Sequence, residues 1–359
     1  MTVHVRLLVG TKKGAFILDS DAARADWSMR GPLCEGWAIH DLIADPASGA
    51  ILAGGGSPWY GPGVWRSDDG GTTWTHSSAG MTYGDDGPAV VTVWSLATSP
   101  DGAILAGVEP AGLFRSEDGG ATWIHVAGLT GHPTRPSWQP GAGGLIAHTV
   151  IPHPTDPART WVGISAVGVF ETRDGGASWE PRNVGVRAGF LPDPHPITGQ
   201  CVHKFAMAAG GTDTFYQQNH CGVYRSDDAT ATWTEITPGL PSEFGFPLIT
   251  HPRDPDTAWV IPLNGADQGR YMPDAHAAVW RTRDRGATWT RSDDGLPTRD
   301  AYLSVLREAM ARDTLDPVGI VFGTSTGQLW QSADEGSSWR MISDTLPEIW
   351  AVEAVVLDG

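Results

Sequence analysis

The sequence is poor in basic residues, almost free of cysteine, and without any long apolar run. Its 24 Lys and Arg stand against 41 Asp and Glu, a formal net charge of −17 at pH 7 over 359 residues. Such a balance repels phosphate backbones and anionic lipid unless a local basic patch reverses it, and no such patch occurs. Nucleic acid and membranes are therefore not expected partners. No stretch approaches the roughly 18 uninterrupted apolar residues of a membrane span, and residues 1–14 lack a basic segment leading into an apolar core and a cleavage site. Three cysteines, Cys34, Cys201 and Cys221, cannot form a disulfide framework, and the odd count suits a reducing compartment. A cytoplasmic location is the expectation. With 40% hydrophobic residues, 46 Gly, 27 Pro and 17 Trp, the composition fits one large or two ordinary globular domains and excludes disorder and collagen.

The tryptophans are not scattered. The octapeptide Ser67-Asp68-Asp69-Gly70-Gly71-Thr72-Thr73-Trp74 recurs at residues 116–123, 172–179, 226–233, 282–289 and 332–339, six copies whose final tryptophans lie 49, 56, 54, 56 and 50 residues apart. That period holds four short strands with their turns and is too long for a leucine-rich or ankyrin unit. Each copy follows a short apolar-aromatic pair such as Val64-Trp65 or Leu113-Phe114, so the motif sits in a hairpin between two strands. Its chemistry is that of a turn: Asp accepts backbone N–H bonds, Gly takes positive φ, and Trp packs back across the hairpin.

In these six copies the chain resembles the Asp-box family, also called bacterial neuraminidase repeats, with their Ser-x-Asp-x-Gly-x-Thr-Trp motif. The resemblance implies a β-propeller. The copy at 226–233 places Thr230 where the motif has Gly, so that turn is expected to be strained or differently built. A seventh, degenerate unit begins at Gly14 and ends in Trp27, 47 residues before Trp74. Innermost strands are expected at 38–45, 93–99, 146–153, 202–208, 246–251, 302–308 and 349–356. The last has no hairpin after it, while residues 3–27 supply three strands with no inner strand before them. The expected fold is all-β: residues 1–359 as a single seven-bladed β-propeller of four-stranded blades, with 1–30 and 348–359 together forming the closing blade.

The octapeptides mark one face, so the long loops at 54–63, 78–92, 129–144, 185–200 and 264–278 belong to the other, where a rigid scaffold carries its binding residues. Ligand-binding candidates there are Trp59, Tyr60, His132 and Arg135. Aligned on their terminal prolines, the inner strands place His40, Trp94, His148 and Phe246 each six residues before Pro46, Pro100, Pro154 and Pro252. His203 falls in register, with Tyr302 and Trp350 as the nearest equivalents. The alignment predicts a ring of three imidazoles and four aromatics at the loop end of the channel. His40, His148 and His203 converging there could hold a divalent transition metal such as Zn, Mn, Fe or Cu, because neutral imidazole is a common ligand and catalytic metals often need only three protein ligands. The alternative is that they pack and hydrogen-bond as channel wall. A second constellation, Cys201, His203, His220 and Cys221, gathers four candidate ligands in one repeat, though its spacing matches no standard zinc motif.

Sialidases within the resembling family share an Arg triad, a Tyr/Glu pair and an Arg-Ile-Pro segment. None is evident here; Arg135, Arg187, Arg270 and Arg299 are the arginines assignable to the loop face. Xyloglucan-cleaving relatives use a carboxylate pair between two propellers, and photosystem-assembly propellers bind protein. A glycosidase-type carboxylate pair among Glu35, Asp85, Asp86 and Glu109 depends on a separation that sequence does not give. The leading expectation is thus a ligand-binding or enzymatic propeller with a His/aromatic pocket, acting on a small molecule or glycan. The alternatives are a non-catalytic protein- or peptide-binding scaffold, and a glycoside hydrolase without the sialidase triad.

Overall fold

The computed structural model describes residues 3–358. They form an all-β propeller of antiparallel sheets, whose one α-helix among the described residues is the four-residue turn Ala127–Thr130. No helix there is long and apolar enough to cross a membrane. Strands 3–11, 14–21 and 28–33 pair in sequence, and the C-terminal strand Ile349–Asp358 joins Val3–Thr11 along nine residue pairs. Four further four-stranded sheets follow the same order, and an eight-stranded sheet consists of two four-stranded units joined by the single bridge Gly56–Thr92.

The second strands explain why the units stack. Thr160–Ile164 (Thr-Trp-Val-Gly-Ile) and Ala258–Pro262 (Ala-Trp-Val-Ile-Pro) are buried at every position. Such short continuous apolar runs suit a strand covered on both faces, here by the neighbouring units. Leu105 and Leu113 of one unit accordingly pack with Val162, Phe170 and Trp179 of the next. Close approach is written into Gly163, where a Cβ would lie 2.8 Å from the Phe205 ring of the following inner strand.

Each octapeptide closes on itself by the same bonds. At 116–123 the Ser116 hydroxyl donates to Asp118 (2.8 Å) and accepts from the Gly120 N–H (2.8 Å), while Asp118 accepts from the N–H of Thr122 (2.8 Å) and from its hydroxyl (2.6 Å). The turn containing Thr230 keeps the same bonds rather than being differently built: Thr230 N–H donates to Ser226 (2.9 Å) and the Thr232 N–H to Asp228 (2.9 Å). Strain is present as expected, because Thr230 adopts φ of 72°, rare for a β-branched residue. Its hydroxyl accepts from the buried Trp161 indole N–H at 3.0 Å, which ties the turn to the preceding unit.

Three boundaries differ from expectation. The inner strand of the sixth repeat is Met310–Arg312, not 302–308. The latter segment is extended but bonds to loops over most of its length, with Leu303 accepting from Met272 N–H and Ser304 from Ser325 N–H, and only its last residue, Glu308, accepts from Val352 N–H of the C-terminal strand. The long loop at 54–63 is mostly hairpin, since strands Ile51–Ser57 and Gly61–Ser67 consume it. The outer strand of the first unit, Ser28–Leu33, begins after Trp27 rather than before it.

A cavity of about 360 Å³ is lined by Asp41, Ser95, Thr149, Lys204, Thr250, Arg312 and Glu353, one residue from each of the seven innermost strands, and by Glu308. This is the axis around which the units are arranged. Lys204 pairs with Glu308, and Asp41 accepts the Leu96 N–H at 2.7 Å.

Candidate functional site

Because the strands alternate in direction, the inner strands begin on the face opposite the octapeptide turns. Near their starts the pairing skips one register step, and His40, Trp94, His148, His203 and Trp350 each occupy the extra position of a β-bulge. Phe246 shares the corresponding bulge with Pro247. A bulge re-aims a side chain out of the strict alternation of a strand, so the register shared by these residues in sequence has a common backbone cause. Tyr302 has no place in this series. It is 60% exposed on the loop segment described above, where it packs edge-on to Tyr271 with ring centroids 5.1 Å apart.

The bulged histidines have three different environments. His40 is sandwiched between Trp94 and Trp350, at centroid distances of 4.0 and 4.4 Å, and its buried Nδ1 has no hydrogen-bond partner. Burial, with a smaller push from Arg307, lowers its pKa to about 3, so the ring is neutral. His148 is fully buried and has both nitrogens engaged, Nδ1 with Thr149 Oγ1 at 2.9 Å and Nε2 with the Val202 carbonyl of the next inner strand at 3.0 Å. His203 likewise donates from Nδ1 to the Gly245 carbonyl at 2.6 Å, but its Nε2 faces Cys201 Sγ at 3.6 Å. The three expected ligands are therefore not brought together. Among the described residues the cluster that does gather is Cys201, His203 and His220, whose ligand atoms lie within 4.8 Å of one another. Cys221 is turned away, its sulfur against Gly189.

That cluster forms one wall of a pocket of about 510 Å³, whose lining also includes Ser165, Phe190, Phe244, Phe246, Arg270 and Arg307. No Asp or Glu lines it, and neither arginine has a carboxylate within ion-pair distance among the described residues. Arg307 donates from Nε to the His203 carbonyl at 3.2 Å and lies 5.5 Å from the Phe246 centroid; Arg270 lies 5.9 Å from that of Phe244. In a chain of net charge −17, two arginines without a counter-ion beside aromatic rings make a local positive well, strengthened by partial desolvation. Burial, then the nearby Arg307, holds His203 well below the usual imidazole range, and burial, then Arg270, lowers His220. Both rings are neutral and can offer lone pairs. Burial raises the Cys201 thiol, with Arg307 pulling the other way.

Of the other candidates from the sequence, only Phe246 lines this pocket. Trp59 and Tyr60 sit on a hairpin turn, 91% and 64% exposed, with Tyr60 against Trp37. His132 packs between Trp138 and Phe170, and Arg135 covers Trp138 while donating to the Ala111 carbonyl at 2.7 Å, so both are engaged in packing. Trp94 donates from its indole to Glu109 at 3.2 Å. Sequence reading missed Phe190, Phe244 and Arg307. Arg307 fell inside the misassigned inner strand, and the Asp313 that ends the true strand was the available signal.

No family model matches the chain. A xyloglucanase from a Paenibacillus species is 30% identical over 149 residues, which is 39% of this chain and 13% of that protein. A GH74 enzyme from Niastella koreensis superposes with a TM-score of 0.54 at 16% identity, covering 96% of this chain and 65% of the enzyme. The structure of YCF48 bound to D1 peptide gives 0.55 at 12% identity, with 87% and 83% covered. These likenesses show the fold, and the chain spans less than two thirds of either glycan-acting relative. Propellers of this kind include both hydrolases and peptide binders.

Proposed function

We propose that the protein is a single seven-bladed, Asp-box-type propeller that binds a small molecule or glycan carrying a carboxylate or phosphate in the loop-face pocket. One observation carries this reading: Arg270 and Arg307 converge on a partly aromatic cavity that contains no carboxylate. Guanidinium groups left without a counter-ion recognise such anions through paired N–H donors, while Phe190, Phe244 and Phe246 cover an apolar or sugar face. The same absence argues against hydrolysis by a carboxylate pair in this pocket, because that chemistry needs two acids flanking the bond. The resemblance to xyloglucan-acting propellers supports a carbohydrate body for the ligand; the peptide-bound YCF48 structure keeps a peptide terminus as the competing anion source.

Calorimetric titration with uronic acids, sugar phosphates and short peptides, each paired with its neutral counterpart, tests the proposal. The expected result is binding of an anionic sugar that weakens with salt and falls at least tenfold in Arg270→Gln, because the half-buried Arg270 side chain donates to no protein group among the described residues. Equal binding of a neutral oligosaccharide, unaffected by Arg270→Gln, would overturn it. A response only to peptides would replace the glycan with the scaffold reading.

A further inference from the structure

We propose that Cys201, His203 and His220 form a transition-metal site, best matched to zinc, with its fourth coordination position open to the pocket. This goes beyond the anion-binding reading and stands on different atoms. The main-chain carbonyl of Gly245 can only accept, so the 2.6 Å contact fixes the proton of His203 on Nδ1 and leaves a lone pair on Nε2. A ring nitrogen anchored on a carbonyl with the other one free is the usual outer support of a metal-bound histidine. That nitrogen accepts from the Cys201 thiol, whose Sγ is 3.6 Å away. Zn–S near 2.3 Å and Zn–N near 2.1 Å in a tetrahedron place sulfur and nitrogen about 3.6 Å apart.

The third ligand is free to close. The His220 ring makes no hydrogen bond among the described residues and is held by edge contacts to Phe190 and Phe244, with centroids 5.2 and 5.0 Å away. With all ligand atoms already within 4.8 Å, a movement of about 1 Å brings its nitrogen to bonding distance. Metal binding releases the thiol proton. The thiolate would offset one charge of the metal, and the pocket, which Arg307 also lines, leaves room for water or an oxygen of an anionic ligand as the fourth ligand. Neutral histidines and a sulfur ligand suit zinc or cobalt(II) better than the hard, oxygen-preferring cations.

The test uses the full chain stripped with chelator and titrated with cobalt(II). One equivalent should produce a thiolate-to-cobalt charge-transfer band together with the visible bands of tetrahedral cobalt, and zinc should displace both. Cys201→Ser should abolish the charge-transfer band. His220→Gln, a change at a half-buried ring with no hydrogen bonds, should lower cobalt affinity at least tenfold, while Cys221→Ser and His40→Ala should leave it unchanged. Absence of the band in folded wild-type protein, its survival in Cys201→Ser, or its loss only with Cys221 would each overturn the site. Anion binding, measured on the metal-free protein, reports separately on the pocket arginines.

Discussion

Thr230 serves two demands that oppose each other. Its backbone holds a conformation that costs a branched residue roughly 1–2 kcal/mol, while its hydroxyl is the partner of the Trp161 indole N–H inside the packed interface. Thr230→Val keeps the shape and the strain but removes the acceptor. It should destabilise the protein by about 1–3 kcal/mol, the cost of a buried donor left unpaired, read from the midpoint of urea unfolding. The departure from the motif was visible in the sequence, but the conserved turn geometry was not, because Ser226 and Asp228 dictate the backbone whatever residue fills the fifth position. A similar limit applies to the histidines. Their shared register was legible, whereas the anchoring of His148 Nε2 on the Val202 carbonyl and of His203 Nδ1 on the Gly245 carbonyl depends on neighbouring strands that no local pattern reveals. Cys201 and His220 were legible as neighbours in one repeat.

The octapeptide turn and the tryptophan behind it are the joints between strands. Trp123 is buried against Leu52, Val64 and Phe114, and Trp123→Ala should cost roughly 3–5 kcal/mol in the same assay through the cavity it leaves. Asp118 has its pKa lowered to about 2, first by the Thr122 hydroxyl, then by the Thr122 N–H and Ser116. A depressed carboxylate stabilises the fold above its unfolded pKa of about 4, and that contribution is lost as pH falls through 2. Asp118→Asn should therefore flatten the loss of stability between about pH 4 and 2, measured by thermal unfolding across that range. The turns were readable because the Ser, Asp and Thr bonds that close them are made within eight residues, although Thr230 and several tryptophan indoles also bond outside them. Strand identity was less secure: residues 301–306 alternate buried and more exposed side chains as a strand does, yet Leu303 and Ser304 bond to loops, and alternation does not distinguish the two.

Around the axis, acids outnumber what the bases can neutralise. Glu353 is exposed to the water of the channel, yet the protein packed around that channel raises its pKa to about 7; Arg312 and Lys204 act against the shift, Glu308 with it. Asp41, across the channel, is also raised, by burial first and then by Glu308. For a raised carboxylate the folded state binds more protons than the unfolded chain between about pH 4.3 and 7, so stability declines as pH increases across that window. Glu353→Gln should raise the melting temperature at pH 8 and leave it nearly unchanged at pH 4.5; an equal gain at both values would contradict this assignment. The channel charges were not legible as a group, since they come from strands spread over more than 300 residues. The same spread governs how the ring is completed. The strand Val3–Thr11 receives its inner partner only from Ile349–Asp358, so during synthesis at about 5–20 residues per second it must wait on the order of tens of seconds for the partner to be made. Until then its free edge is open to any passing β-strand, and a ribosome stalled before Ile349 leaves behind a chain with the other strands made yet still an unclosed, sticky arc.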